Sequence, residues 1–196
     1  AIRNIIAENG ATNDDFIAFN ADDAFDYRHN HYLFPEEISD ITVENVAAEN
    51  CWTAVRILSV KAPVRNVTVK NLIAGVREMG LNFDATRYAG DRIFDPADYP
   101  GGVGNIENVR FENVVLWKTR DKKNPLCVIE SNCRGVVFEN FARNLDRDVM
   151  PNEPFFRFDN LAKTTVCVDG ETTGLAGGER KTLDGGAYRK ITVDRD

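Results

Sequence analysis

Arg65-Asn66-Val67-Thr68-Val69-Lys70-Asn71-Leu72 decides the fold, because the phrase recurs along the chain. It returns as Ser39-Asp40-Ile41-Thr42-Val43-Glu44-Asn45-Val46, as Glu107-Asn108-Val109-Arg110-Phe111-Glu112-Asn113-Val114 and as Arg134-Gly135-Val136-Val137-Phe138-Glu139-Asn140-Phe141. A weaker copy opens the chain, Arg3-Asn4-Ile5-Ile6-Ala7-Glu8-Asn9, and residues 164–170 read as a degenerate sixth. Self-similarity at a period of tens of residues is the signature of stacked repeats. Inside each copy apolar residues alternate with polar ones, the period of two that a strand imposes. Ile41 and Val43 are therefore expected inside with Thr42 and Glu44 in water, and Val109 and Phe111 inside with Arg110 and Glu112 in water.

Each copy closes on an Asn at the same phase: Asn9, Asn45, Asn71, Asn113 and Asn140. Asn tolerates left-handed backbone, and its amide can bond the Asn of the next layer, so the expectation is a turn repeated as a ladder. The spacings are 36, 26, 42 and 27 residues. The short ones fit one turn of a solenoid and the long ones a turn plus an inserted loop. The insertions fall near 21–37 and 87–104. After each Asn comes a second apolar strand: Phe16-Ile17-Ala18-Phe19, Ala54-Val55-Arg56-Ile57-Leu58, Gly80-Leu81-Asn82-Phe83-Asp84, Cys127-Val128-Ile129-Glu130 and Phe155-Phe156-Arg157-Phe158-Asp159. No stretch carries a helical period with caps. The pattern predicts an all-β chain, a single-stranded right-handed parallel β-helix over residues 1–170 forming an incomplete stack. Residues 171–196 are expected as a tail, with 186–194 as a last strand over the final coil. The first coil has nothing before it in the chain to cover it, so missing upstream sequence or a partner chain is expected there.

Composition narrows the function. A formal charge of −7 and an isoelectric point near 5.0 disfavour nucleic acid, which needs a concentrated basic surface. Apolar runs are far shorter than the ~20 residues of a membrane helix, so no membrane contact is expected; the first residues read as strand rather than as a signal peptide. Cys51, Cys127, Cys133 and Cys167 show no ligand spacing and are expected as small core residues, with no metal and no cofactor.

Strand parity also places candidate chemistry. If Ile17, Val55, Leu81, Ile129 and Phe158 point inward, then Asp14, Arg56, Asn82, Asp84, Glu130, Arg157 and Asp159 project from one face as a polar groove fit for an extended polymer. Asn13-Asp14-Asp15-Phe16 places two carboxylates side by side before a strand. Like charges repel, and each raises its neighbour's proton affinity, which suits an acid and a base working together. Glycoside hydrolysis needs that pair, and Arg56, one coil on, is placed to bind a sugar.

The stretch from Asp14-Asp15-Phe16-Ile17-Ala18-Phe19 to Arg56-Ile57-Leu58 resembles the polygalacturonase-type glycoside hydrolases of family 28, with their pectin-lyase-like β-helices. That family carries Asp-Asp-Cys-Ile-Ala-Ile and, on the following coil, Arg-Ile-Lys. Phe16 stands here for the Cys and Leu58 for the Lys. The resemblance implies Asp14 as general acid, Asp15 as the residue that positions or activates water, and Arg56 as a substrate ligand. His29 and His31 lie in the interval where the family has Gly-His-Gly, which implies substrate contact. Asn82, Asp84 and Glu130 complete the expected substrate-binding set. A secreted or periplasmic enzyme acting on a polysaccharide or oligosaccharide is implied, by inversion. Two other readings stay open on the residues alone: a non-catalytic glycan-binding or tail-fibre-like β-helix, and a polysaccharide lyase.

Overall fold

The computed structural model describes residues 1–8, 14–21, 36–85, 97, 99, 102–159 and 162–195. They form an all-β protein built on one mixed sheet of 13 strands. The strands are β1 (Ile2–Ala7), β2 (Ile17–Asn20), β3 (Ile38–Leu58), β4 (Val64–Asp84), β5 (Ile106–Lys118), β6 (Cys127–Ile129), β7 (Cys133–Arg134), β8 (Val136–Arg143), β9 (Phe156–Asp159), β10 (Thr164–Val168), β11 (Glu171–Leu175), β12 (Arg180–Leu183) and β13 (Ala187–Arg195).

The repeated phrase lies over itself in parallel register. Val43 pairs with Val69, Val69 with Phe111, and Phe111 with Phe138. All four are fully buried, so the alignment of layers is also an alignment of core side chains. The second strands form their own parallel column, Ile17 beside Val55, Leu81, Cys127 and Phe156. Ile129 and Phe158 sit one step along, level with Phe83, and face the core with the same parity. Aromatic rings join the two columns: Phe83–Phe111 at 6.0 Å, Phe111–Phe138 at 5.5 Å and Phe138–Phe156 at 5.4 Å between centroids.

Two left-handed residues, five apart, bend each coil: Asp40 and Asn45, Asn66 and Asn71, Asn108 and Asn113, Gly135 and Asn140. Each one resets the pleat, so buried positions in β4 run Val64, Val67, Val69, Leu72 and Ala74, spaced alternately by three and two. The bent strand therefore turns one edge to the core on both sides of each corner. The closing Asn residues hydrogen-bond layer to layer. Asn45 donates to Asn4 at 3.1 Å, Asn71 to Asn45 at 2.8 Å, Asn113 to Asn71 at 3.0 Å and Asn140 to Asn113 at 3.0 Å. A second ladder runs alongside, Asn66 donating to Asp40 at 3.0 Å and Asn108 to Asn66 at 3.4 Å. Gly135 continues it without a side chain; a Cβ there would come within 2.9 Å of Asn108 Oδ1.

Two expectations are corrected. The first copy is phased on Asn4, not Asn9: Arg3 pairs with Glu44 and Ile5 with Val46, and Asn4 has the left-handed φ of 58°. Asn9 lies outside the described residues. The sixth copy is not a parallel layer. Thr164–Val168 pairs antiparallel with both β11 and β13, the first across a two-residue Asp169-Gly170 turn in which both residues have positive φ, the geometry such hairpins demand. β13 in turn runs antiparallel on β8, and β12 antiparallel on β9. The parallel layers thus stop at β8 and β9. At the opposite end, Ile2, Ile5, Phe16 and Ile17 border an apolar groove of about 460 Å³. Most of the expected insertions at 21–37 and 87–104 lies outside the described residues.

Candidate functional site

The second strands bring the candidate residues together. Arg56 pairs in register with Asn82, Asn82 with Val128 and Val128 with Arg157, so one row crosses four layers. Asp84 lies beside Leu58 in the next row, and the N–H of Glu130 extends that row by donating to Phe83 O at 2.9 Å. Asp14 and Asp15 reach the same place from the turn before β2. Two backbone bonds pin that turn to β3: Trp52 N–H donates to Asp14 O at 3.1 Å, and Phe16 N–H to Thr53 O at 2.8 Å.

Asp14, Asp15, Arg56, Asn82, Asp84 and Glu130 all line one cleft of about 500 Å³. It spans the layers of β2, β3, β4, β6 and β9, four spacings of ~4.8 Å or roughly 19 Å, enough for several sugar rings in a row. His29 and His31 lie outside the described residues.

Ion pairs set the electrostatics. Arg56 sits 3.8 Å from Asp15 and 3.4 Å from Asp84. All three side chains are nearly enclosed, Asp84 at 2% exposure, so this is a desolvated cluster rather than a solvated face. The guanidinium offsets repulsion between the neighbouring carboxylates and fixes Asp15 in place. Arg157 repeats the device farther along, 2.6 Å from Glu130 and 2.7 Å from Asp159. Asp14, by contrast, is exposed at the edge of the cleft.

Cleft residues that the sequence reading did not name include Trp52, Glu78 and Asn124. Trp52 and Glu78 flank irregularities in the β3–β4 ladder, where Cys51 pairs with Val76 but Thr53 with Met79. Both share the parity of Arg56 and Asn82, four residues on, but precede the expected second strands, which begin at Ala54 and Gly80, so the expected row stops short of them. Behind them Lys118 is fully buried and donates to Glu78 O and, at 2.6 Å, to Asn124 Oδ1. Burial pushes its amine down to about 8, against the pull of Glu78 and Asp148.

The four cysteines are free thiols; Cys51, Cys127 and Cys133 are buried. Among the described residues no cluster of three or more His, Cys, Asp or Glu is placed to hold a metal ion, and no helix is long and apolar enough to cross a membrane. In comparisons with known proteins, the chain matches no family model, no curated protein and no solved structure.

Proposed function

We propose that the chain is a glycoside hydrolase acting on a polysaccharide outside the cytoplasm, built on a right-handed parallel β-helix. The observation that carries this reading is the convergence of Asp14, Asp15 and Arg56 with Asn82, Asp84 and Glu130 in one elongated cleft. The hand of the winding rests on parallel register between successive layers, because crossovers between parallel strands of one sheet are right-handed in about 98% of proteins. Placement outside the cytoplasm rests on where polymeric substrates are found, an argument by analogy.

Asp14, at the open edge, donates its proton to the glycosidic oxygen as the bond from that oxygen to the anomeric carbon breaks. Asp15 takes a proton from a water whose oxygen bonds to the same carbon, so one water is added and the configuration inverts. Arg56 holds Asp15 in position and keeps its own charge, since a guanidinium does not give up its proton in a protein. That property also makes Arg56 a poor base for a lyase.

The test is reducing-end release from a panel of polysaccharides by the wild type, Asp14→Asn and Asp15→Asn. Each substitution should lower kcat by about 10²- to 10⁴-fold, the usual worth of a general acid or base, with the fold intact by circular dichroism. Full activity in both variants refutes the mechanism. Unsaturated products absorbing in the near ultraviolet would assign a lyase instead, and binding without any turnover a glycan-binding module.

A further inference from the structure

We infer that Trp52, Glu78 and Asn124 form a distinct sugar subsite beside the aspartate pair, and that it takes an uncharged pyranose unit and rejects a uronate. The inference rests on reading the cleft as a glycan site, but not on turnover.

The subsite sits where, among the described residues, the β3–β4 ladder slips twice. Between Ala48 and Cys51, β3 advances three residues while β4 advances two, from Ala74 to Val76; between Cys51 and Thr53, β4 advances three while β3 advances two. The slips bend the strands but leave Trp52 and Glu78 in step with Arg56 and Asn82, four residues on along each strand. Glu78 falls inside the second and Trp52 opposite it, and both turn into the cleft.

Each group is held before any ligand arrives. Asn124 Nδ2 lies 3.2 Å from Glu78 O and 3.5 Å from Glu78 Oε1, and Lys122 Nζ lies 3.5 Å from Glu78 Oε2. Buried Lys118 ties the Glu78 carbonyl to the Asn124 side chain from below. The Arg77 guanidinium packs 5.4 Å from the Trp52 ring centroid and steadies the indole. A fixed indole offers an apolar surface to the C–H face of a sugar ring. A carboxylate accepts bonds from adjacent hydroxyls, and it is an acceptor only.

The charge of the cleft selects the sugar. Five carboxylates line it (Asp14, Asp15, Glu78, Asp84 and Glu130) against two guanidiniums, Arg56 and Arg157, with Lys122 bordering Glu78 and Arg77 bordering Trp52. Arg56 and Arg157 already bridge two carboxylates each. A uronate seated on Trp52 would set its own carboxylate against Glu78, whereas a neutral unit presents hydroxyl donors there.

The experiment uses the full chain carrying Asp14→Asn to stop turnover. It is titrated with xylo-, manno-, galacto- and cello-oligosaccharides and with oligogalacturonides, by calorimetry and tryptophan fluorescence. At least one neutral series should bind, and oligogalacturonides at least tenfold more weakly. Adding Glu78→Gln, which keeps shape and removes charge, should weaken the neutral ligand about tenfold and narrow the gap to the uronates. Trp52→Phe should weaken all ligands and keep the gap; it carries the test if the Gln variant melts early. The inference is overturned if oligogalacturonides bind as well as the best neutral series, if Glu78→Gln leaves the gap unchanged, or if nothing binds. Binding by the wild type without turnover would sink the hydrolase and spare the subsite. Turnover unchanged by Glu78→Gln and Trp52→Phe would sink the subsite and spare the hydrolase.

Discussion

Replacing Asn71 separates the two jobs of the corner residue. Asn71 has φ of 54°, donates to Asn45 at 2.8 Å and accepts from Asn113 at 3.0 Å. Asn71→Ala removes both ladder bonds. They lie at the exposed corner, so the low end of the usual range applies, about 0.5 kcal/mol each and ~1 kcal/mol together. A Cβ in left-handed backbone costs roughly 1–2 kcal/mol, and Ala lacks the local side-chain bonding by which Asn offsets it. The expected loss is about 2–3 kcal/mol. Asn71→Gly loses the same bonds without that strain, and frees the unfolded chain by about 0.5–1 kcal/mol, for a total near 1.5–2 kcal/mol. At an ordinary strand position Ala is more stable than Gly by about 0.5–1 kcal/mol; at Asn71 the order should invert. Urea unfolding of both variants measures this, with Thr68→Ala and Thr68→Gly, in the same strand, as the pair showing the ordinary order. If Asn71→Ala matches or exceeds Asn71→Gly, the account of the corners is wrong.

Further outcomes concern buried groups. Lys118 titrates near 10.5 when unfolded and at about 8 when folded, so between those values the unfolded chain binds more protons and stability rises with pH. The slope is at most about 1.4 kcal/mol per pH unit. Urea unfolding at several pH values should show that rise in the wild type and its loss in Lys118→Met; parallel curves would contradict the assignment. Burial pushes the Cys51 thiol up to about 12 and raises Cys127 and Cys133 as well, while Cys167 is only partly covered. Near pH 8 one thiol should react quickly with a disulfide reagent and four after denaturation; two fast thiols in the folded protein would contradict this.

The layering was legible because Asn is a costly choice inside a strand unless a left-handed corner requires it, and a fixed phase betrays the corner. The first copy misled because Arg3-Asn4-Ile5-Ile6 carries the same polar-Asn-apolar order as Glu44-Asn45-Val46-Ala47, while Asn9 imitates the closing position. The second ladder escaped notice because its members differ, Asp40, Asn66, Asn108 and then Gly135, which share a backbone angle rather than a side chain. Residues 164–168 alternate as well as any other copy, and alternation carries no strand direction. In the cleft, parity alone found Arg56 and Asn82, where the ladder is even. Trp52 and Glu78 share that parity but fall just before the expected strand starts at Ala54 and Gly80, and Asn124 follows no strand pattern at all.

The reversal of direction at β10 and β13 bears on how molecules meet one another. A column of like-directed strands invites a neighbour to add its own, rung upon rung, into a filament. Here the outermost strands on this side are β11 and β12. Each is only four or five residues long, and they carry Glu171, Arg180 and Lys181. Short, charged borders of this kind are poor templates for recruitment, so the antiparallel lid acts as a terminus against polymerisation as well as a cover for the core.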